Sequence, residues 1–290
     1  MSFAVACPAP PRVRVSRGRG VARRTTGRRL VSAAVAGPDT DPRPAVVVLP
    51  GLGNETSDYT AFALELEQRG FSVTVAEVRR PDWLRNAAGL VDVNYWKGTL
   101  EPRPTVDWYL GRIGDAIVIA KQKSGSDKVR LVAHSAGGWM ARVYLSDFGC
   151  AEVCHFVSLG SPLKSVPSDV PGVVDQTRGI LSFVEANCDL PVVLNEKGVR
   201  VTCLAGKWLE GSAEFEMASP QNFLIGQGYK QVCGYSDVWG DGITPVAAAH
   251  LEGADNIILN GAFHTPVGSS DARPWYGTPE ILDQWVEVLR

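Results

Sequence analysis

Six short apolar runs punctuate the chain, at residues 45–49, 71–78, 129–133, 153–159, 201–205 and 256–259. Most are near-continuous instead of strictly alternating, the pattern of strands buried on both faces. Helical patterns separate most of them. Residues 59–69 carry apolar side chains at three- and four-residue spacing and stop at Gly70, a residue suited to a helix C-terminus. Residues 105–123 predict a longer helix ending at Ser124-Gly125, and residues 279–290 a last one that opens on Pro279. Strands alternating with helices predict an α/β fold, a mostly parallel sheet with helices on both faces and any active site at the carboxyl ends of its strands.

Two segments exceed the length of a tight connection. Residues about 79–108 hold Trp83, Trp96 and Trp108 with three prolines. Residues 164–197 hold an apolar stripe through Val173, Val174, Ile180, Leu181, Phe183 and Val184. Both are read as cap or lid insertions that shape a pocket, the stripe being either a helix packed on the core or a lipid-facing lid. Trp83 and Trp96 are candidate substrate contacts.

The run ending at Ala133 leads into His134-Ser135-Ala136-Gly137-Gly138. A serine at a sharp strand-to-helix corner needs small neighbours, so this stretch reads as a nucleophile elbow with Ala133 in place of the first glycine of G-x-S-x-G. Small residues around a serine also occur without function. A serine hydroxyl needs a base, an acid to orient the base, and donors for a developing oxyanion. Of four histidines, His264 has the required place, in a polar loop after the run 256–259 and downstream of both serine and acid. His155 reads as a satisfied strand histidine, His250 as filler, and His134 as a residue lining the pocket of the nucleophile. Asp241, in a glycine turn before Pro245, is the candidate acid and Asp237 the alternative, although a carboxylate in a turn also serves simply as a turn former. The oxyanion donors are assigned to the amides of Ala136, after the nucleophile, and Leu52, in the turn after the run 45–49. Gly51 and Gly53 have no lysine placed as in a Walker motif, which sets nucleotide binding aside.

Four segments in this order resemble the α/β-hydrolase superfamily, particularly its lipases and esterases. They are Leu49-Pro50-Gly51-Leu52-Gly53, with proline where that family has histidine, the Ser135 elbow, Leu159-Gly160-Ser161-Pro162, and Gly240-Asp241-Gly242 followed by His264. The resemblance covers the chain from about residue 45 onward. It implies the α/β-hydrolase fold and a hydrolase of carboxylic esters, lipid or other hydrophobic acyl esters, acting through an acyl-enzyme without metal or organic cofactor. An acyltransferase using the same residues and a non-catalytic binding protein on the same fold are the alternatives, since the superfamily holds both.

Charge divides the chain. Residues 1–38 contain no Asp, Glu or Lys but eight arginines among Ser, Thr, Gly and Ala, the composition of an organelle transit peptide, plastid being preferred over mitochondrion. The remaining residues 39–290 are expected to form one domain. Without those arginines the formal charge drops from −2 to about −10, which argues against a nucleic-acid partner. No run approaches the ~20 apolar residues that span a bilayer, so membrane contact is expected to be peripheral. Cys150, Cys154, Cys188, Cys203 and Cys233 lack a C-x-x-C pair and read as buried apolar residues, with a Cys150–Cys154 redox pair as the lesser alternative.

Overall fold

The apolar runs become strands of one parallel sheet in the computed structural model, which describes residues 44–167 and 169–290; the segment 1–38 lies outside the described residues. In chain order the strands are β1 (Ala45–Leu49), β2 (Val73–Val75), β3 (Val129–His134), β4 (Val153–Leu159), β5 (Arg200–Lys207), β6 (Leu209–Glu210), β7 (Trp239–Gly240) and β8 (Asp255–Asn260). Six of them form the sheet β2-β1-β3-β4-β5-β8, while β6 and β7 make a separate antiparallel pair. Register runs straight across the centre: Val47 faces Leu131, Leu131 faces Phe156, and Phe156 faces Val201.

Alternate residues of the central strands feed two separate cores. Val47, Leu49, Leu131 and Ala133 pack into one, and Val46, Val48 and Val132 into the other, so apolar residues are needed at every position. The helices are α1 (Thr60–Gln68), α2 (Val93–Lys97), α3 (Asp107–Ser124), α4 (Ala136–Phe148), α5 (Ile180–Asn187), α6 (Pro191–Glu196), α7 (Pro220–Cys233), α8 (Val246–Ala249) and α9 (Pro279–Leu282). Tyr109, Leu110, Ile113 and Ile117 of α3 fill the first core; Phe62 and Leu66 of α1 fill the second.

Three expectations are corrected. The run 71–78 pairs only over Val73–Val75, because β2 is the sheet edge with β1 as its single neighbour. The terminal helix 279–290 stops at Leu282 and resumes as a 3-10 turn at Val286–Leu289. Tertiary packing overrides its periodicity: the Trp285 ring is buried against Phe62 and its indole N–H donates to Tyr276 O at 2.9 Å. Helix α7 was not anticipated, since Gly226 and Gly228 weaken its pattern. Gly226 is there because a Cβ would lie 2.4 Å from Ser212 O.

In the second insertion, Val174 precedes α5 and is exposed, while Ile180, Leu181 and Val184 of α5 point into the core, so this part of the stripe is a packed helix. Arg142 of α4 fastens it. Its buried guanidinium donates to the carbonyls of Leu163, Val184 and Cys188 at 3.2–3.5 Å. The five cysteines of residues 44–290 are free thiols. Among the described residues no helix is long and apolar enough to cross a membrane. Trp285→Ala is expected to cost about 3–5 kcal/mol of unfolding free energy in urea titration. An unchanged midpoint would show that the C-terminal turn is not part of the core.

Candidate active site

Ser135 sits where β3 turns into α4, with φ 52° and ψ −126°, a strained backbone for a residue that has a side chain. Its amide donates to Leu159 O at the end of β4, and its carbonyl accepts from Gly138 N, both at 2.9 Å. The corner closes only over glycine. A Cβ on Gly138 would stand 2.1 Å from Ser161 Oγ, and one on Gly137 2.9 Å from Leu49 O. Ala133, in place of the usual glycine, is fully buried in the first core.

His264 lies in the loop after β8. Its Nε2 is 2.9 Å from Ser135 Oγ, and its Nδ1 is 2.8 Å from Asp241 Oδ2. A carboxylate only accepts, so Nδ1 carries the hydrogen and Nε2 is free to accept from the serine hydroxyl. The His264 amide also donates to Asp241 O at 2.9 Å, joining the two loops through their backbones. Asp241 is wholly buried, and four donors converge on its carboxylate. Ile243 N and Thr244 N bind Oδ1, while the His264 ring and the Tyr276 hydroxyl bind Oδ2. Tyr276 is held in turn by Gly206 N at 2.8 Å. Gly160, at φ 55°, is obligatory here because a Cβ would lie 2.4 Å from Asp241 Oδ2.

A second set of bonds ties the elbow to the loops on either side. His134 is buried; its Nε2 lies 2.7 Å from His264 O and its Nδ1 2.7 Å from the Tyr59 hydroxyl. The carbonyl can only accept, so Nε2 carries the hydrogen. Burial, with His264 close by, pushes the His134 pKa well below its ordinary value, leaving a neutral ring. Nδ1 therefore accepts from Tyr59 Oη, and Oη accepts from Gly51 N at 2.9 Å. One chain of donors runs from the loop after β1, through the elbow, to the loop bearing His264.

That first loop is pinned twice more, by the Tyr109 hydroxyl on Pro50 O at 2.6 Å and by the Trp83 indole on Asn54 O at 2.7 Å. With Gly51 N committed to Tyr59, the next amide is Leu52 N. Neither Leu52 N nor Ala136 N has a partner among the described residues. Both belong to segments that meet at Ser135, since a Cβ on Gly51 would lie 2.8 Å from Ser135 Cβ.

The structure thus brings Ser135, His264 and Asp241 together and leaves Asp237 apart, exposed and accepting from Ala213 N. His134 is a buried connector between loops instead of a pocket wall. Trp83 is also moved from its expected role: its ring packs on Trp108 and Tyr109 and is 8% exposed. Trp96 turns outward, 70% exposed, with its indole on Leu90 O. His155 is buried against Thr202 Oγ1, its pKa lowered to about 4 by burial. Tyr59, Tyr109 and Tyr276 were not singled out, because in the apolar pattern they are indistinguishable from phenylalanine. Only their hydroxyls set them apart.

No protein-family model and no curated protein matches the chain. Solved structures of similar outline include the lin2722 gene product of Listeria innocua, at 14% identity over 84% of this chain and 93% of that one, TM-score 0.46. The 2-hydroxy-6-oxo-6-phenylhexa-2,4-dienoate hydrolase of Rhodococcus sp. strain RHA1 is similar at 15% identity over 77% and 85%, TM-score 0.42. LpqC, a poly(3-hydroxybutyrate) depolymerase of Bordetella parapertussis, is similar at 16% identity over 78% and 75%, TM-score 0.43. The parallel order β2-β1-β3-β4-β5-β8, with the serine elbow after β3, is the α/β-hydrolase fold.

Neutral His134 gives stability a definite pH dependence. Above about pH 6.5 the ring is uncharged in both folded and unfolded chains. As pH falls below that value the unfolded chain takes up a proton that the native site refuses, so stability is lost by about 1.4 kcal/mol per pH unit and proton. His155 adds the same dependence between 6.5 and about 4. Urea titrations through this range are expected to give a slope one proton smaller in His134→Asn. Equal slopes would mean that His134 is charged in the native state.

Proposed function

We propose that the protein is a serine hydrolase of carboxylic esters. The observation that carries this reading is the continuous Asp241–His264–Ser135 hydrogen-bonded array, at 2.8 and 2.9 Å, on a strained corner beside two uncommitted amides. In the proposed reaction Ser135 Oγ attacks the ester carbonyl carbon as its proton passes to His264 Nε2. The imidazolium that forms is stabilised by Asp241. Charge gathering on the former carbonyl oxygen is met by the amides of Leu52 and Ala136, each such donor contributing roughly 3–4 kcal/mol in a dry site. Collapse of the tetrahedral species expels the alcohol, which takes the proton from His264. Water then attacks the acyl-enzyme along the same path, returning the carboxylic acid and free Ser135.

Hydrophobic acyl esters, lipids among them, are the proposed substrate class, supported by large apolar side chains exposed in the segments that follow β1 and β2, Leu52 in the first and Leu84 and Val91 in the second. Transfer of the acyl group to another alcohol would use the same residues, and no residue of the site favours it. A binding protein without chemistry is disfavoured, since it has no use for the His264 to Ser135 contact. A plastid location is proposed on the arginine-rich composition of residues 1–38.

A fluorophosphonate probe is expected to label the chain and to lose that label in Ser135→Ala. Asp241→Asn is expected to lower ester turnover by about 10⁴-fold by holding His264 in the wrong tautomer. A p-nitrophenyl ester series of rising acyl length is expected to favour the longer chains. Failure of the wild-type chain to label or to turn over any ester would sink the proposal.

A further inference from the structure

The segment after β2 carries a surface feature that the chemistry at Ser135 does not use. Leu84, Leu90, Val91, Val93 and Trp96 fall within thirteen residues, all exposed, Val91 to 91% and Leu84 to 76%. The Trp96 indole donates to Leu90 O at 3.0 Å, which folds the Val93–Trp96 part of the cluster back on its Leu90–Val91 part. These residues belong to a 3-10 helix, Arg80–Val91, and to α2, and clustered apolar exposure on such a surface marks a contact face.

The exposure does not come from a loose loop. Trp83 is buried beneath it, Trp108 donates to Asn86 Oδ1 at 2.9 Å, and Gly89 is buried where a Cβ would press on Leu100 at 3.2 Å. The inner face of the segment is consumed by the core, and the outer face is held outward. Through Trp83 and Asn54 O the segment abuts the loop of Leu52, so it lies on the Ser135 side of the sheet.

Charge decides what the face fits. Arg85 and Lys97 bracket it, both exposed. Its one acid, Asp92, is half-buried and caps α2 by accepting from Asn94 N. Arg85 has a loose ion pair with Asp82 at 3.4 Å, which leaves its guanidinium 57% exposed. On an otherwise acidic chain this is an apolar spot rimmed by cations, with a tryptophan of the kind that settles at membrane interfaces. Two copies meeting face to face through it would oppose like charges, whereas an anionic lipid surface answers both the apolar and the cationic parts.

We propose that the 84–97 face docks on an anionic lipid bilayer and sets the Ser135 site against acyl esters held in that membrane. The use of the docking rests on the ester-hydrolase reading; the docking itself does not.

The test is co-sedimentation of the full chain with phosphatidylcholine vesicles, with and without phosphatidylglycerol. The arginines of residues 1–38 are common to every variant and cancel from the comparison. Leu84→Ser/Val91→Ser/Trp96→Ser is expected to weaken binding to the anionic vesicles by about tenfold or more. Arg85→Gln/Lys97→Gln is expected to weaken it several-fold and to remove most of its salt sensitivity. Brominated lipid is expected to quench an emission component that Trp96→Phe lacks, with circular dichroism confirming that each variant is folded. Ser135→Ala should bind as the wild type does, so loss of the esterase reading and loss of the docking are separate results. Vesicle binding unchanged in the triple variant, or Trp96 emission untouched by brominated lipid, overturns the proposal. So does a wild-type dimer that the triple variant makes monomeric, since the face would then belong to a second copy.

Discussion

A carboxylate with no solvent exposure organises this molecule. Burying the charge of Asp241 without donors would cost on the order of several kcal/mol, a large share of the stability of a domain, so the surroundings are built to supply them. Two come from the turn that follows it, one from His264 and one from Tyr276. The close quarters exclude side chains at Gly160 and Gly206, whose Cβ atoms would fall 2.4–2.8 Å from Asp241. Tyr276 must be buried too, and its carbonyl in turn takes the Trp285 indole, whose ring packs on α1. A requirement of one side chain is thereby passed to the last residues of the chain.

His134 performs the complementary task for the backbone. The groups that meet at Ser135 come from loops after β1, β3 and β8, which belong to distant parts of the sequence. A neutral imidazole is suited to joining them because it is a donor at one edge and an acceptor at the other. Here both edges are used, with no hydrogen left over. The loop of Leu52 and the loop of His264 are referred to the same rigid strand end, and catalytic geometry of this kind tolerates errors well under an ångström.

The order Ser135, Asp241, His264 was legible because each stands in a short sequence context with a mechanical meaning: a small-residue corner, a glycine turn, a polar loop after an apolar run. Five of the six sheet strands were legible within a residue or two, the four inner ones because they are apolar on both faces and β8 through its short run Ile257–Leu259. What escaped was information that one-dimensional pattern does not hold. Tyr59 and Tyr276 occupy apolar positions and differ from phenylalanine by one oxygen whose partner is 75 or 35 residues away. Helix α7 was hidden by two glycines, of which Gly226 is required by the approach of Ser212, and the end of α9 by a single ring entering the core. Trp83 and Trp96 lie thirteen residues apart in one segment, yet one is a foundation and the other a surface group. Counting aromatic residues cannot separate those two fates.

Arg142 gives the second insertion a mechanical character. From α4 its guanidinium reaches the carbonyls of Leu163, after β4, and of Val184 and Cys188, in and at the end of α5. Moving α5 away would take two of those carbonyls from the guanidinium, so the bonds hold the helix in place. Because α4 begins at the Ser135 corner, Arg142 ties α5 to the very helix that carries that corner, so the insertion and the corner are held in one frame.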